Sequence, residues 1–268
     1  MKARFLIFLL LLANLAGCQN HSTVSNDSKQ PDENLTVSAA ISLKDAFGEI
    51  GALYKSKTGK TINYNFGASG ALQKQIETGA PVDVFASAGE KQMDELAAKN
   101  LINVDSRRDF ARNKLILIAP KNSGEAIISD FKKIITDSSV KKIAVGNPKT
   151  VPAGQYADEA FEKLNLKKDL QSKLIFAEDV RQVVDYVARG EVEFGIVYES
   201  DALNAFDKVD SIVRVPEDSH SPILYPIALI KDGKQKSSAK EFVDLVLSAE
   251  GQNILRRYGF SALSEPQA

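Results

Sequence analysis

Several short segments of this chain put hydroxyl groups or bare backbone where helices begin, a pattern suited to holding an anion. Ser42 precedes one helical stretch. Ser69 sits in Gly67-Ala68-Ser69-Gly70, ahead of a second. Pro152-Ala153-Gly154 opens a third, with Pro152 where the first helical residue belongs. Glu178-Asp179-Val180 opens a fourth, with Asp179 as its natural N-cap. A helix start carries unpaired N–H groups and the positive end of the backbone dipole. The glycines around Ser69 let the backbone approach a ligand closely. Tyr198 ends an apolar strand, where its hydroxyl could enter the same cleft or sit at a rim. At any single position, ordinary capping accounts for a Ser or Asp better than binding does; it is the convergence of several such turns that favours an anion. A serine nucleophile is the rival chemistry. Gly67-Ala68-Ser69-Gly70-Ala71 has Ala71 where a nucleophile elbow needs glycine. Its base would have to be His220, in the polar loop Pro216-Glu217-Asp218-Ser219-His220.

The elements that must carry these turns alternate. Leu35–Ala40 reads as a buried strand, and Leu43, Phe47, Ile50 and Tyr54 recur at helical spacing up to Gly59. A strand over Thr61–Phe66, a helix over Gly70–Thr78 and a strand over Val82–Ala86 follow. Met93, Leu96 and Ala97 mark another helix, and Leu115–Ile118 is an apolar strand stopped by Pro120. A second block has strands at Ile143–Val145, Leu174–Phe176 and Phe194–Val197, with helices over Gly154–Leu164 and Val180–Arg189. Ile227–Ile230 is a further strand. Ser238-Ala239-Lys240-Glu241 is a capping box opening a helix, and a last helix ends at Tyr258-Gly259. This alternation predicts an α/β fold of doubly wound sheets, in two lobes with a ligand cleft between them.

Composition narrows the partners. The 268 residues are 44% hydrophobic and 26% charged, with a net charge of −1, so there is no basic excess for nucleic acid. Two histidines and one cysteine exclude Cys/His zinc sites and any disulfide within the chain. No clustered acidic motif argues for a magnesium site. At the N-terminus, Lys2 and Arg4 precede the apolar run Phe5–Ala13, which is too short to span a bilayer and suits a signal peptide. Leu15-Ala16-Gly17-Cys18 resembles a bacterial lipobox, which makes Cys18 the lipidated first residue of the mature chain. Residues 19–34 read as a polar tether that contains His21.

The chain also resembles the substrate-binding proteins of molybdate ABC transporters over about Leu35–Phe260. The resemblance rests on Ala39-Ala40-Ile41-Ser42-Leu43, Phe66-Gly67-Ala68-Ser69-Gly70 and Gly79-Ala80-Pro81-Val82-Asp83-Val84-Phe85. Further along it rests on Val145-Gly146-Asn147-Pro148 with Val151-Pro152-Ala153-Gly154, then Ala177-Glu178-Asp179-Val180-Arg181, Gly195-Ile196-Val197-Tyr198 and Arg257-Tyr258-Gly259-Phe260. It implies the two-lobed type II periplasmic-binding architecture. Lobe 1 would be discontinuous, from 35–117 and 224–268, and lobe 2 would be 118–223. The signal peptide would be 1–18. The crossings would fall near Leu115–Pro120 and Ser221–Ile227.

The resemblance further implies an oxyanion, molybdate or tungstate, held by hydroxyls and N–H groups of Ser42 and Ser69, by N–H groups of Ala153 and Val180, and by the Tyr198 hydroxyl. It implies no cofactor, no catalysis and a monomer anchored to the membrane at Cys18, with an ABC permease and its ATPase as partners. Both ions are tetrahedral dianions without a proton, so a ring of donors suits them, and helix starts can balance their charge. Glu199 beside Tyr198 is expected to face away from the cleft by strand alternation. A receptor for another oxyanion such as sulfate, a hydrolase centred on Ser69, and a purely structural lipoprotein are the alternatives.

Overall fold

The computed structural model describes residues 34–123 and 130–263. Cys18, His21 and nearly all of the signal peptide and tether expected over 1–34 therefore lie outside the described residues. Strand β1 (Leu35–Ala40) runs through a 3-10 turn (Ile41–Leu43) into helix α1 (Lys44–Thr58). Phe47, Ile50 and Tyr54 of α1 are buried, each stabilising the fold by about 1.5–3 kcal/mol. Gly59 ends the helix in the left-handed region at φ 75°. Then follow β2 (Ile62–Gly67), α2 (Ser69–Glu77), β3 (Val84–Ala86), α3 (Glu90–Ala98) and β4 (Arg108–Arg112).

The next segment builds a second sheet from β5 (Leu115–Pro120), α4 (Phe131–Thr136), β6 (Ile143–Gly146), α5 (Pro152–Lys163), α6 (Lys167–Leu170), β7 (Leu174–Ala177), α7 (Val180–Ala188), β8 (Phe194–Tyr198), α8 (Glu199–Asn204) and β9 (Val209–Arg214). The chain returns with β10 (Leu224–Leu229) and closes with α9 (Lys236–Leu247) and α10 (Ala249–Arg257).

The sheet orders are β2-β1-β3-β10-β4 and β7-β6-β8-β5-β9. Each has three parallel strands, a fourth running opposite to them and a fifth antiparallel to the fourth. In each, the fourth strand is the one that has just arrived from the other lobe. β5 pairs along its length with β8 and β9. The first crossing is therefore at Asn113–Lys114, immediately before Leu115–Pro120, and a lobe boundary at residue 117 would cut a strand of the second sheet. Apolarity alone does not say which sheet a buried strand joins; hydrogen-bond partners do. The chain crosses back between Arg214 and Leu224. Among the described residues, no helix is long and apolar enough to cross a membrane.

Candidate functional site

Carboxyl ends of the parallel strands from both sheets lead into one small cavity. Its lining comes from the first lobe, with Ala40, Ile41, Ser42, Gly67, Ala68, Ser69 and Ala88, and from the second, with Val151, Pro152, Asp179, Val180 and Tyr198. The cavity leaves about 10 Å³ for the centre of a water-sized sphere, far below the range typical of drug-sized ligands and on the scale of a single small ion. Four of the five expected ligand positions, Ser42, Ser69, Val180 and Tyr198, line it. Ala153 does not; it is the second residue of α5, buried directly behind Pro152.

Local backbone explains the placement. Ser69 and Val180 are first residues of α2 and α7, and Ala153 is in the first turn of α5, so their N–H groups have no carbonyl a turn earlier in the helix to bond. Gly154 lets α5 start hard against β6, since a Cβ there would stand 2.0 Å from the Gly146 carbonyl oxygen. Asp179, the one carboxylate in the lining, caps α7 by accepting the Gln182 N–H at 3.0 Å.

The serines differ from Asp179. The expectation that the first helix follows Ser42 and the second begins at Gly70 shifts slightly: Ser42 lies inside the 3-10 turn, and Ser69 is already helical. Neither side chain caps its helix. Ser69 Oγ accepts the Ala88 N–H at 3.0 Å, which leaves its own proton free. Ser42 Oγ lies 3.1 Å from the Tyr225 hydroxyl. Tyr198 donates its hydroxyl to the Ala88 carbonyl at 3.0 Å. Its single proton therefore serves a lobe-to-lobe bond here, and giving it to an ion requires releasing Ala88. Burial pushes the Tyr198 and Tyr225 phenols well above their ordinary pKa, so both stay protonated.

Other contacts bridge the lobes around the cavity. Gly70 N–H donates to the Thr150 carbonyl at 2.9 Å. Arg181 pairs with Asp45 of α1, and its Nε is 3.5 Å from Asp201 Oδ1. Asp201 is fully buried, and desolvation pushes its carboxyl up to about 7 against the pull of Arg181. Glu199 is the first residue of α8 and no strand residue. It faces away from the cavity, accepting Arg214 Nη2 at 2.7 Å.

Sequence reasoning missed Ala88, Thr150, Asn113, Tyr225 and Asp201. The nearest signal was the strand expected over Ile227–Ile230, which begins at Leu224 and so takes in Tyr225. The hydrolase geometry is not assembled: His220 Nδ1 bonds the Ser221 carbonyl at 2.8 Å and its ring lies beside Tyr156, whereas Ser69 bonds Ala88.

The comparisons agree with this architecture. The family model described as bacterial extracellular solute-binding protein matches residues 35–261. A Bacillus subtilis (strain 168) protein provisionally named an ABC transporter substrate-binding lipoprotein, YvgL, is 38% identical over 96% of this chain and 97% of its own. The molybdate-binding protein ModA of Escherichia coli (strain K12) is 37% identical over 92% of this chain and 96% of its own. A solved substrate-binding domain, provisionally assigned to a molybdenum ABC transporter from Clostridium difficile, superposes with a TM-score of 0.67 at 43% identity, over 86% of this chain and 99% of that one. With its family match spanning both sheets and the cavity between them, this chain belongs to the bacterial extracellular solute-binding proteins.

Proposed function

We propose that this protein captures molybdate, and tungstate with it, outside the cytoplasm and delivers the ion to an ABC import permease and its ATPase, without catalysing a reaction. The observation that carries this is the small cavity in which helix starts and hydroxyls of both lobes converge. Ser42 and Ser69 supply hydroxyls, Ser69 and Val180 supply first-turn N–H groups, and Ala153 adds one from behind Pro152. Tyr198 exchanges its bond to Ala88 for the ion. Every one of these groups can donate, as an unprotonated dianion requires. The names of the relatives point to the same ion. We further read the chain as a monomer held at the membrane through Cys18, with the residues before Cys18 removed and 19–34 as tether. The lipobox-like Leu15-Ala16-Gly17-Cys18 supports this, as does the lipoprotein name of the Bacillus relative.

A thermal-shift panel of molybdate, tungstate, sulfate, phosphate and chromate tests the assignment. A ligand at a hundredfold excess over its Kd stabilises the folded state by about 2.7 kcal/mol. Molybdate and tungstate are expected to raise the melting temperature at micromolar concentrations. A shift with sulfate alone would replace molybdate by sulfate, and no shift with any of the five would overturn the oxyanion reading.

A further inference from the structure

Behind the cavity, the Ser42 hydroxyl belongs to a chain of buried polar groups that the lining does not include. The Lys114 backbone N–H donates to Asn113 Oδ1 at 2.9 Å. A backbone N–H can only donate, so this bond fixes which end of the Asn113 amide is oxygen. The amide nitrogen then has two hydrogens to give. One goes to Ser200 Oγ at 2.8 Å and the other to the Tyr225 hydroxyl at 3.3 Å. With its oxygen accepting from Asn113, Tyr225 has its own proton left for Ser42 Oγ, 3.1 Å away. Ser42 accepts in turn, and its remaining proton has the cavity to point into. Reversed, the chain would spend the Ser42 proton on Tyr225 and turn a lone pair toward an anion. Asn113, held by Lys114, opposes that reversal. Ser69 is set in the same sense by the Ala88 N–H. Tyr225 is 0% exposed and meets the cavity lining through its hydrogen bond to Ser42 and edge-to-face against the Tyr198 ring, 5.6 Å between centroids.

We infer that Tyr225, oriented by Asn113, is a positioning residue that commits the Ser42 hydroxyl to donate into the cavity and so favours an oxyanion without a proton of its own. This rests on the reading of Ser42 as a ligand of the ion. Titration calorimetry with molybdate on the wild type, Ser42→Ala, Tyr225→Phe and the double variant tests it, with melting curves confirming that each is folded. Tyr225→Phe is expected to raise the Kd about tenfold, the scale of one buried hydrogen bond. The same change in the Ser42→Ala background is expected to raise it no further, because the two act as one unit. A Tyr225→Phe protein with unchanged affinity, or effects that simply add, would overturn the inference; a general loosening of the core would add. Asn113→Ala is the second variant should Tyr225→Phe fail to fold. It is expected to weaken binding several-fold with Ser42 present and not without it, and equal weakening in both backgrounds would overturn the inference. Failure of the underlying reading shows separately, in variants with Tyr225 intact: no molybdate binding by the wild type, or no loss in Ser42→Ala, removes both.

Discussion

Ser42 and Ser69 are the kind of residue that starts a helix by capping it, yet each bonds something else. The cost of removing them therefore differs from that of a lost cap. Ser69→Ala leaves the buried Ala88 N–H without an acceptor, a folding cost of about 1–3 kcal/mol. Ser42→Ala leaves the buried Tyr225 proton without an acceptor, since Asn113 only donates to it, and is likewise expected to cost about 1–3 kcal/mol. Each is expected to weaken molybdate binding by about 1.5–3 kcal/mol, the range for hydrogen bonds to a charged group. Calorimetry beside melting curves with and without the ion separates the two costs; unchanged affinity in both would remove the serines from the site. The serines and Tyr198 were legible because type, local pattern and family resemblance coincided. Tyr225 was not, because its partners are distant in sequence: 183 residues separate it from Ser42. No local pattern announces such a pair.

Among the elements, α7 and α8 meet where Arg181 approaches Asp201. The Asp201 carboxyl is raised from its ordinary 3.8 to about 7 by burial, so the folded protein binds a proton the unfolded chain has already released. That favours folding fully below about pH 4 and is lost as pH rises through about 7. Asp201→Asn, which keeps the shape and removes the titration, is expected to flatten the stability profile between pH 4 and 7 and to raise stability at pH 8 by on the order of 1–3 kcal/mol. Denaturant melts across that range check this, and an unchanged slope would refute it. The long amphipathic helices and the apolar central strands were readable from periodicity. β4 and β9 were not: charged residues interrupt both, as in Arg108-Asp109-Phe110-Ala111-Arg112, so neither forms an apolar run, whereas the edge strands β2 and β7 carry no charge and were read. Helices α4, α6 and α8 have six residues or fewer, too few to show a period.

At the scale of the whole molecule, two sheets of the same plan close on one cavity through backbone contacts that tolerate no side chain. A Cβ on Gly70 would stand 2.6 Å from the Thr150 carbonyl oxygen in the other lobe. Gly70→Ala is therefore expected to leave both sheets folded, with a melting temperature close to wild type, while molybdate affinity falls at least about tenfold. Small-angle scattering with molybdate present is expected to give a larger radius of gyration than wild type; equal radii and equal affinity would show that the contact does not govern closure. Two lobes were foreseeable from the repeated strand–helix alternation. The point of crossing was not, because it depends on which sheet pairs with β5.

With the Tyr198 proton given to the ion, the bond from Gly70 to Thr150 and the pairing of Arg181 with Asp45 still join the lobes beside the cavity. An ion enclosed there can leave only after such bonds part. Its escape is then a first-order event timed by the separation of the lobes, at a rate independent of how much competing ion surrounds the protein. Residence time becomes a property of the crossings and the bridging bonds, set apart from the donors that decide which ion is held. A carrier built this way can be tuned for how long it keeps its cargo without changing what it selects.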